Sequence, residues 1–281
     1  MTAGASVAAA PIRAISTAGP AGKLAGWIAD SPADGHVPEG SPILFIHPIN
    51  TRGKIWEDLV ALLSARHVCV MPDLRGHGES DTSGEFGLDE WLSDCVAVLD
   101  AQGITAPVHV IGGSLGGSLA CCFAAKYPER TLSICSMGGS LNFDGVDVEG
   151  VIPMFHEFGV QGTFRKVFPT MTFGPYCTPE LIERGIALAN PNDVATVSRV
   201  WTATITSDST EIARTVACPA LVITGEFDAT CTPALGLEMA RVLRTEQVTM
   251  PDIGHMPMLE APERTALLIS RHLDAAEVVA A

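Results

Sequence analysis

The amino-acid sequence predicts an α/β layer fold built on a mostly parallel sheet. Short apolar runs lack the polar alternation of half-exposed strands, and segments of helical periodicity lie between them. The composition, 47% hydrophobic and 17% charged over 281 residues, suits a compact chain with a sizeable core. Strands buried on both faces read as continuous apolar runs because helices cover both sides of a parallel sheet. Strand–helix alternation then implies right-handed crossovers.

The first expected element is a hairpin, residues 12–16 and 23–29, split by the turn-like GPAG. Six more strands are expected at 43–46, 68–71, 108–111, 132–136, 220–224 and 247–250, eight in all. Helical patterns occupy 55–65, 88–101, 115–126, 233–243 and 262–275. Alternation breaks between 141 and 208, where helices are expected at 180–189 and 195–206 and strand signals are absent. That stretch holds six of the ten phenylalanines: Phe143, Phe155, Phe158, Phe164, Phe168 and Phe173. It reads as a helical cap inserted after the sixth strand, with residues 1–140 and 209–281 forming the core. The rings either fill the cap's own interior or line a pocket beneath it.

Composition narrows the partners. Seventeen basic and 32 acidic residues leave a net charge of −15, which disfavours nucleic acid and anionic membranes. No run of 18 charge-poor apolar residues suggests a membrane span. The opening MTAGASVAAAPIRAIS lacks the early basic residues and long apolar run of a secretory leader, so a loosely ordered start is expected. The eight cysteines fit no zinc spacing, and most lie in apolar runs such as HVCVMP and LACCFAA. They read as small buried hydrophobes of a reducing, cytoplasmic protein.

The chemistry centres on VHVIGGSLGGSLA. A strand runs into Gly112-Gly113-Ser114-Leu115-Gly116 and then into a helix, the setting of a G-x-S-x-G nucleophile elbow. Such a turn lifts the Ser114 hydroxyl above the strand ends. Gly112 and Gly116 flank it because a Cβ would collide across the tight crossing. The Leu115 N–H opens the helix and faces developing negative charge. A serine needs a base. Of eight histidines, His255 fits best, in the loop after the last strand and before the final helix. Asp228, in the loop after the strand at 220–224, is the carboxylate expected to orient it, with Glu226, Asp252 and Asp144 as alternatives.

With these residues in hand, the chain resembles the cap-bearing α/β-hydrolase superfamily of esterases, lactonases and carbon–carbon bond hydrolases. The resemblance spans about residues 23–273 and rests on ILFIHPINTRGKIW, MPDLRGHGES, GGSLGGS, ITGEFDATCTP and IGHMPMLEAPE. It implies an α/β-hydrolase fold: a mostly parallel eight-stranded sheet flanked by helices. It also implies that Ile49 gives the second oxyanion-hole N–H beside Leu115. One departure is His47-Pro48 where the family usually has His-Gly. Proline has no N–H, but the family asks none of that position. His47 is read as a brace for the loop. Asp73, Arg75, Gly76, His77, Gly78 and Ser80 are read as a hydrogen-bonded scaffold, and Trp56 as the anchor of the first helix. Asn50, Phe143, Phe155, Phe158, Trp201 and Met256 are the candidate pocket residues.

The expected activity is cofactor-independent, metal-free hydrolysis of a small carboxylic ester or lactone through an acyl-enzyme. The expected partner is a small, apolar or aromatic molecule. A carbon–carbon hydrolase of a ring-cleavage diketone acid is the alternative; it would need a basic grip on a carboxylate, for which Arg52, Arg165, Lys166 and Arg199 are candidates. A ligand-binding protein on the same pocket is disfavoured by the intact Ser–Asp–His set. Dehalogenases and epoxide hydrolases need an aspartate where Ser114 stands. The oligomeric state is open, a homodimer included.

Overall fold

A computed structural model describes residues 9–31, 37–143 and 150–280. Asp144 lies outside the described residues. The strands are β1 (Arg13–Gly19), β2 (Gly22–Ala29), β3 (Gly40–Ile46), β4 (His67–Pro72), β5 (Val108–Gly113), β6 (Thr131–Met137), β7 (Ala220–Gly225) and β8 (Gln247–Met250). They form one sheet in the order β1-β2-β4-β3-β5-β6-β7-β8. The β1–β2 and β2–β4 pairs are antiparallel; every later pair is parallel.

The helices are α1 (Glu57–Leu63), α2 (Leu88–Ala101), α3 (Leu115–Lys126), α4 (Val151–Val167), α5 (Pro179–Ala187), α6 (Val194–Ile205), α7 (Thr210–Ala213), α8 (Pro233–Val242), α9 (Pro257–Glu260) and α10 (Pro262–Ala280). A 3₁₀ turn at Gly53–Trp56 precedes α1, so the helix expected from residue 55 starts differently. Gly53 is required there, because a Cβ would lie 2.4 Å from the Met71 carbonyl oxygen.

The continuous apolar strands are buried on both faces, with alternate residues entering opposite layers. Ile43 and Phe45 of β3 join the cluster under α1 and α10, whereas Leu44 and Ile46 join the one under α2, α3 and α8. Trp56 is fully buried against Phe45, ring centroids 5.3 Å apart. All eight cysteines are free, and burial pushes their thiols up, to about 11 even for half-buried Cys177 and Cys218.

Between β6 and β7 the chain leaves the sheet through α4, α5 and α6. Sequence periodicity anticipates α5 and α6 but not α4. Pro153 and two glycines blur that pattern, and Gly159 (φ 69°, ψ 175°) breaks α4 into two pieces. A π-helical turn, Phe168–Thr172, follows it. Thr178 caps α5 by accepting the Leu181 N–H, and Asp193 caps α6 by accepting the Thr196 N–H. Phe155, Phe164, Phe168 and Phe173 belong to the same buried cluster as Phe45 and Trp56. Their packing is therefore continuous with the layer under the sheet rather than a separate interior.

Candidate active site

The parallel strands place five loops at one end of the sheet. Ile46 pairs with Gly112, Gly113 with Met137, and Gly225 with Met250, so the strands β3, β5, β6, β7 and β8 end nearly level. Ser114 follows β5 with φ 52° and ψ −119°, a strained conformation for a non-glycine residue. Its own N–H donates to the Met137 carbonyl at 2.8 Å, which helps hold that conformation. A Cβ on Gly112 would lie 1.9 Å from the Gly116 oxygen, and one on Gly116 2.0 Å from the Ile46 oxygen. The two glycines therefore allow the β5–α3 crossing to close. Leu115 is the first residue of α3, so its N–H has no intrahelical acceptor.

Asp228 and His255 meet above the ends of β7 and β8. The Asp228 Oδ2 lies 2.8 Å from His255 Nδ1. The carboxylate can only accept, so Nδ1 carries the proton and Nε2 is left as the basic nitrogen. Oδ1 accepts the N–H groups of Thr230 at 2.9 Å and Cys231 at 2.7 Å. Both residues are nearly fully buried. Burial alone would depress the imidazole pKa. The Asp228 charge and hydrogen bond, with the more distant Glu260, outweigh it and hold His255 above its ordinary value. Glu226 instead accepts the N–H of exposed Asp252.

Gly138, at the end of β6, was not anticipated. It adopts φ 55°, and a Cβ there would crowd Asp228 Oδ2 and His255 Nδ1, both at 3.0 Å. The Gly138-Gly139 pair after a strand is the sequence signal that could have marked it.

The loop after β3 faces Ser114. His47 is fully buried, and its Nε2 accepts the Leu74 N–H at 3.1 Å while Nδ1 donates to the Pro48 carbonyl at 2.8 Å. Burial lowers its pKa, consistent with a neutral brace. Thr51 donates to the same carbonyl through its hydroxyl at 2.7 Å. The scaffold beneath is dense. Asp73 accepts the Gly53 and Glu79 N–H groups, and Arg75 makes a buried ion pair with Asp94 at 2.6 Å.

Ser114, His255 and Ile49 share the wall of a cavity with about 730 Å³ of atom-free space, partly open to solvent. Trp201 and Met256 line it as expected, together with Phe164, Phe168, Met171 and Val151. Apart from His255, no lining residue among the described ones has an ionisable side chain.

Four expected pocket residues do not line it, which corrects the sequence reading. Asn50 is buried behind the loop, where its carbonyl accepts the Asn190 N–H at 2.8 Å. Phe155 packs edge-on against Phe164 and Trp201, behind the lining. Phe158 is turned outward, 38% exposed, with the Lys166 ammonium 4.1 Å from its ring centroid. Phe143 is half-buried outside the lining. Gly159 breaks α4 just after Phe158, and aromatic composition alone does not say which of its rings face the cavity.

The four basic candidates are also engaged elsewhere. Arg52 donates to the Ala187 carbonyl at 2.6 Å, and Arg165 pairs with Glu183. Lys166 covers Phe158, while Arg199 covers Phe86 and donates to the Gly84 carbonyl.

Among the described residues, no group of three or more His, Cys, Asp or Glu side chains is arranged to hold a metal ion. None of the described helices is long and apolar enough to cross a membrane.

Known proteins share this architecture. The chain is 25% identical to Lipase 3 of a Moraxella species over 241 residues, covering 81% of this chain and 75% of that protein. It is 25% identical to 3-oxoadipate enol-lactonase 1 of Acinetobacter baylyi over 244 residues, covering 83% and 89%. The fold superposes on a thermophilic esterase from Thermogutta terrifontis with a TM-score of 0.81 at 24% identity, covering 94% and 99% of the two chains. The family model "Alpha/beta hydrolase family" matches residues 43–266, most of the sheet and all the loops just described. This chain is a member of the α/β-hydrolase family and a hydrolase.

Proposed function

We propose that Ser114, His255 and Asp228 form the triad of a serine esterase whose substrate carries an uncharged, apolar acyl group. The observation that carries this reading is the 2.8 Å Asp228–His255 contact at the wall of a cavity that holds Ser114 and, among the described residues, no charged side chain besides the His255 ring.

His255 Nε2 takes the Ser114 proton as the hydroxyl oxygen attacks the ester carbonyl. The tetrahedral oxyanion sits between the N–H groups of Ile49 and Leu115. His255 then gives its proton to the leaving alcohol, and an acyl-serine remains. Water, deprotonated by His255, attacks this acyl-serine; Ser114 leaves and recovers the proton. Asp228 stabilises the imidazolium at both stages without itself taking the proton. Residues 141–208 serve as the cap that gives the cavity its apolar wall. Eight free cysteines support a reducing, cytoplasmic setting.

A lactone is a cyclic ester and would follow the same steps, a reading favoured by the enol-lactonase relative. The carbon–carbon hydrolase reading loses support, because Arg52, Arg165, Lys166 and Arg199 all lie outside the cavity lining. The test is p-nitrophenol release from acetate, butyrate, octanoate and hemisuccinate esters by wild type and Ser114→Ala. Wild type should turn over the neutral esters, and Ser114→Ala should lose about 10⁴-fold or more. The charged hemisuccinate should be slower than butyrate by at least about tenfold, since the wall offers its carboxylate no partner. Equal turnover by the two proteins would sink the triad; preference for hemisuccinate would sink the uncharged substrate.

A further inference from the structure

Glu260, the last residue of α9, lies half-buried beside the His255 loop and makes no ion pair among the described residues. Its position is costly for a charge, because burial raises its pKa. What it receives in return is backbone. Its Oε2 accepts the Gly174 N–H at 2.7 Å. Both oxygens share the Gly254 N–H at 3.1 Å, and Oε1 also accepts the Met256 N–H at 3.2 Å. Gly254 and Met256 flank His255; Gly174 follows the π-helical turn of the cap. The join is tight. A Cβ on Gly254 would lie 2.5 Å from the Thr172 oxygen, and the His255 N–H donates to that oxygen at 2.5 Å.

We propose that Glu260 is a positioning residue of the reaction, bolting the His255 loop to the cap and setting a second negative charge behind the imidazole. The proposal rests on the esterase reading. Asp228 holds the ring directly; Glu260 holds the two residues on either side of it. The groups around this pair are few. Asp228 and the Cys231 thiol approach from the β7 side. Cys177 approaches Glu260 from the cap, and Asp252, Glu263 and Arg264 share a surface groove with it. Arg264 is turned to the Pro251 carbonyl.

Glu260→Gln tests it. The variant is nearly isosteric, yet it must turn an amide NH₂ toward a backbone N–H. We expect kcat to fall by about tenfold to a hundredfold, the scale of a small misplacement of a reacting group. KM, set by the apolar wall, should stay within about twofold. Removing the charge also lowers the His255 pKa, so the acid limb of kcat/KM should move to lower pH. Glu260→Asp keeps the charge and loses reach; it should lose kcat with the acid limb near its wild-type position.

Unchanged kcat and acid limb in folded Glu260→Gln would overturn the proposal. So would a kcat loss with an unmoved limb and a parallel fall in Tm, the mark of a purely structural residue. If neither variant folds, amide exchange of wild type decides: slow Gly174, Gly254 and Met256 amides support the bolt, and loop-like exchange overturns it. If Ser114→Ala is as active as wild type, the esterase reading falls and takes this proposal with it. Loss in Ser114→Ala without loss in Glu260→Gln overturns this proposal alone.

Discussion

Buried histidines sit at both ends of this sheet, and their surroundings push them in opposite directions. At the carboxyl ends of the strands, His255 lies 2.8 Å from a fully buried carboxylate, and its pKa is held above the usual value. At the amino ends, His109 of β5 contacts Ser133 at 2.8 Å and reaches Glu277 only at 3.5 Å. Burial dominates there and pushes His109 down to about 4, with His67 and His272 also lowered by burial. Both sites pair a histidine with an acid. Burial by itself makes an inert neutral ring; a close, buried carboxylate makes a base.

The largest expected effect breaks the active pair. Asp228→Asn should keep the shape but reverse the tautomer, lowering kcat by about 10⁴-fold while leaving the fold intact. Steady-state kinetics with circular dichroism would check this; a loss under about tenfold would show that His255 does not depend on Asp228.

The next effect sharpens the contrast through pH. The unfolded chain binds protons on His67, His109 and His272 more readily than the folded protein does. Stability should therefore fall as pH drops from about 6.5 toward 4. A depression of His109 to about 4 corresponds to about 3 kcal/mol across that span, at ~1.4 kcal/mol per unit. His255 acts oppositely: its contribution is complete below about 6.5 and is lost as pH rises through its folded value. Urea midpoints at a series of pH values should decline on the acid side, less steeply in His109→Gln. A flat profile would contradict the burial argument.

The smallest effect is at the other end. Glu277 is partly exposed, and its pKa is lowered because the Ser41 N–H and His109 together outweigh burial. Glu277→Gln should cost less than about 1 kcal/mol at pH 7 and leave kcat unchanged. An effect on kcat approaching that of Asp228→Asn would erase the distinction between the two ends.

The legible parts of this molecule are those written locally. The β5 run, the elbow and α3 occupy one continuous stretch, so the glycine pattern around Ser114 could be read directly. His255 and Asp228 follow apolar runs, which assigned them to loops at the strand ends. The stretch between β6 and β7 was legible as an interruption of the strand–helix alternation but not as a surface. The aromatic composition of that stretch offered Phe155 and Phe158, whereas the structure places Phe155 behind the lining and turns Phe158 outward. The Glu260 contact to Gly174 was invisible because it joins residues 86 apart in the chain.

By itself, then, the sequence determined the layer fold, the order of strands along the chain, and the residues at the strand ends. Apolar periodicity and turn chemistry act over a few residues, and these features depend on little else. Only the tertiary structure decided which rings wall the cavity, that the four basic candidates lie outside its described lining, and in which direction each histidine's surroundings shift its pKa. Those depend on distances and burial between segments far apart in the chain: a buried acid lies 2.8 Å from His255, and a partly exposed one 3.5 Å from His109.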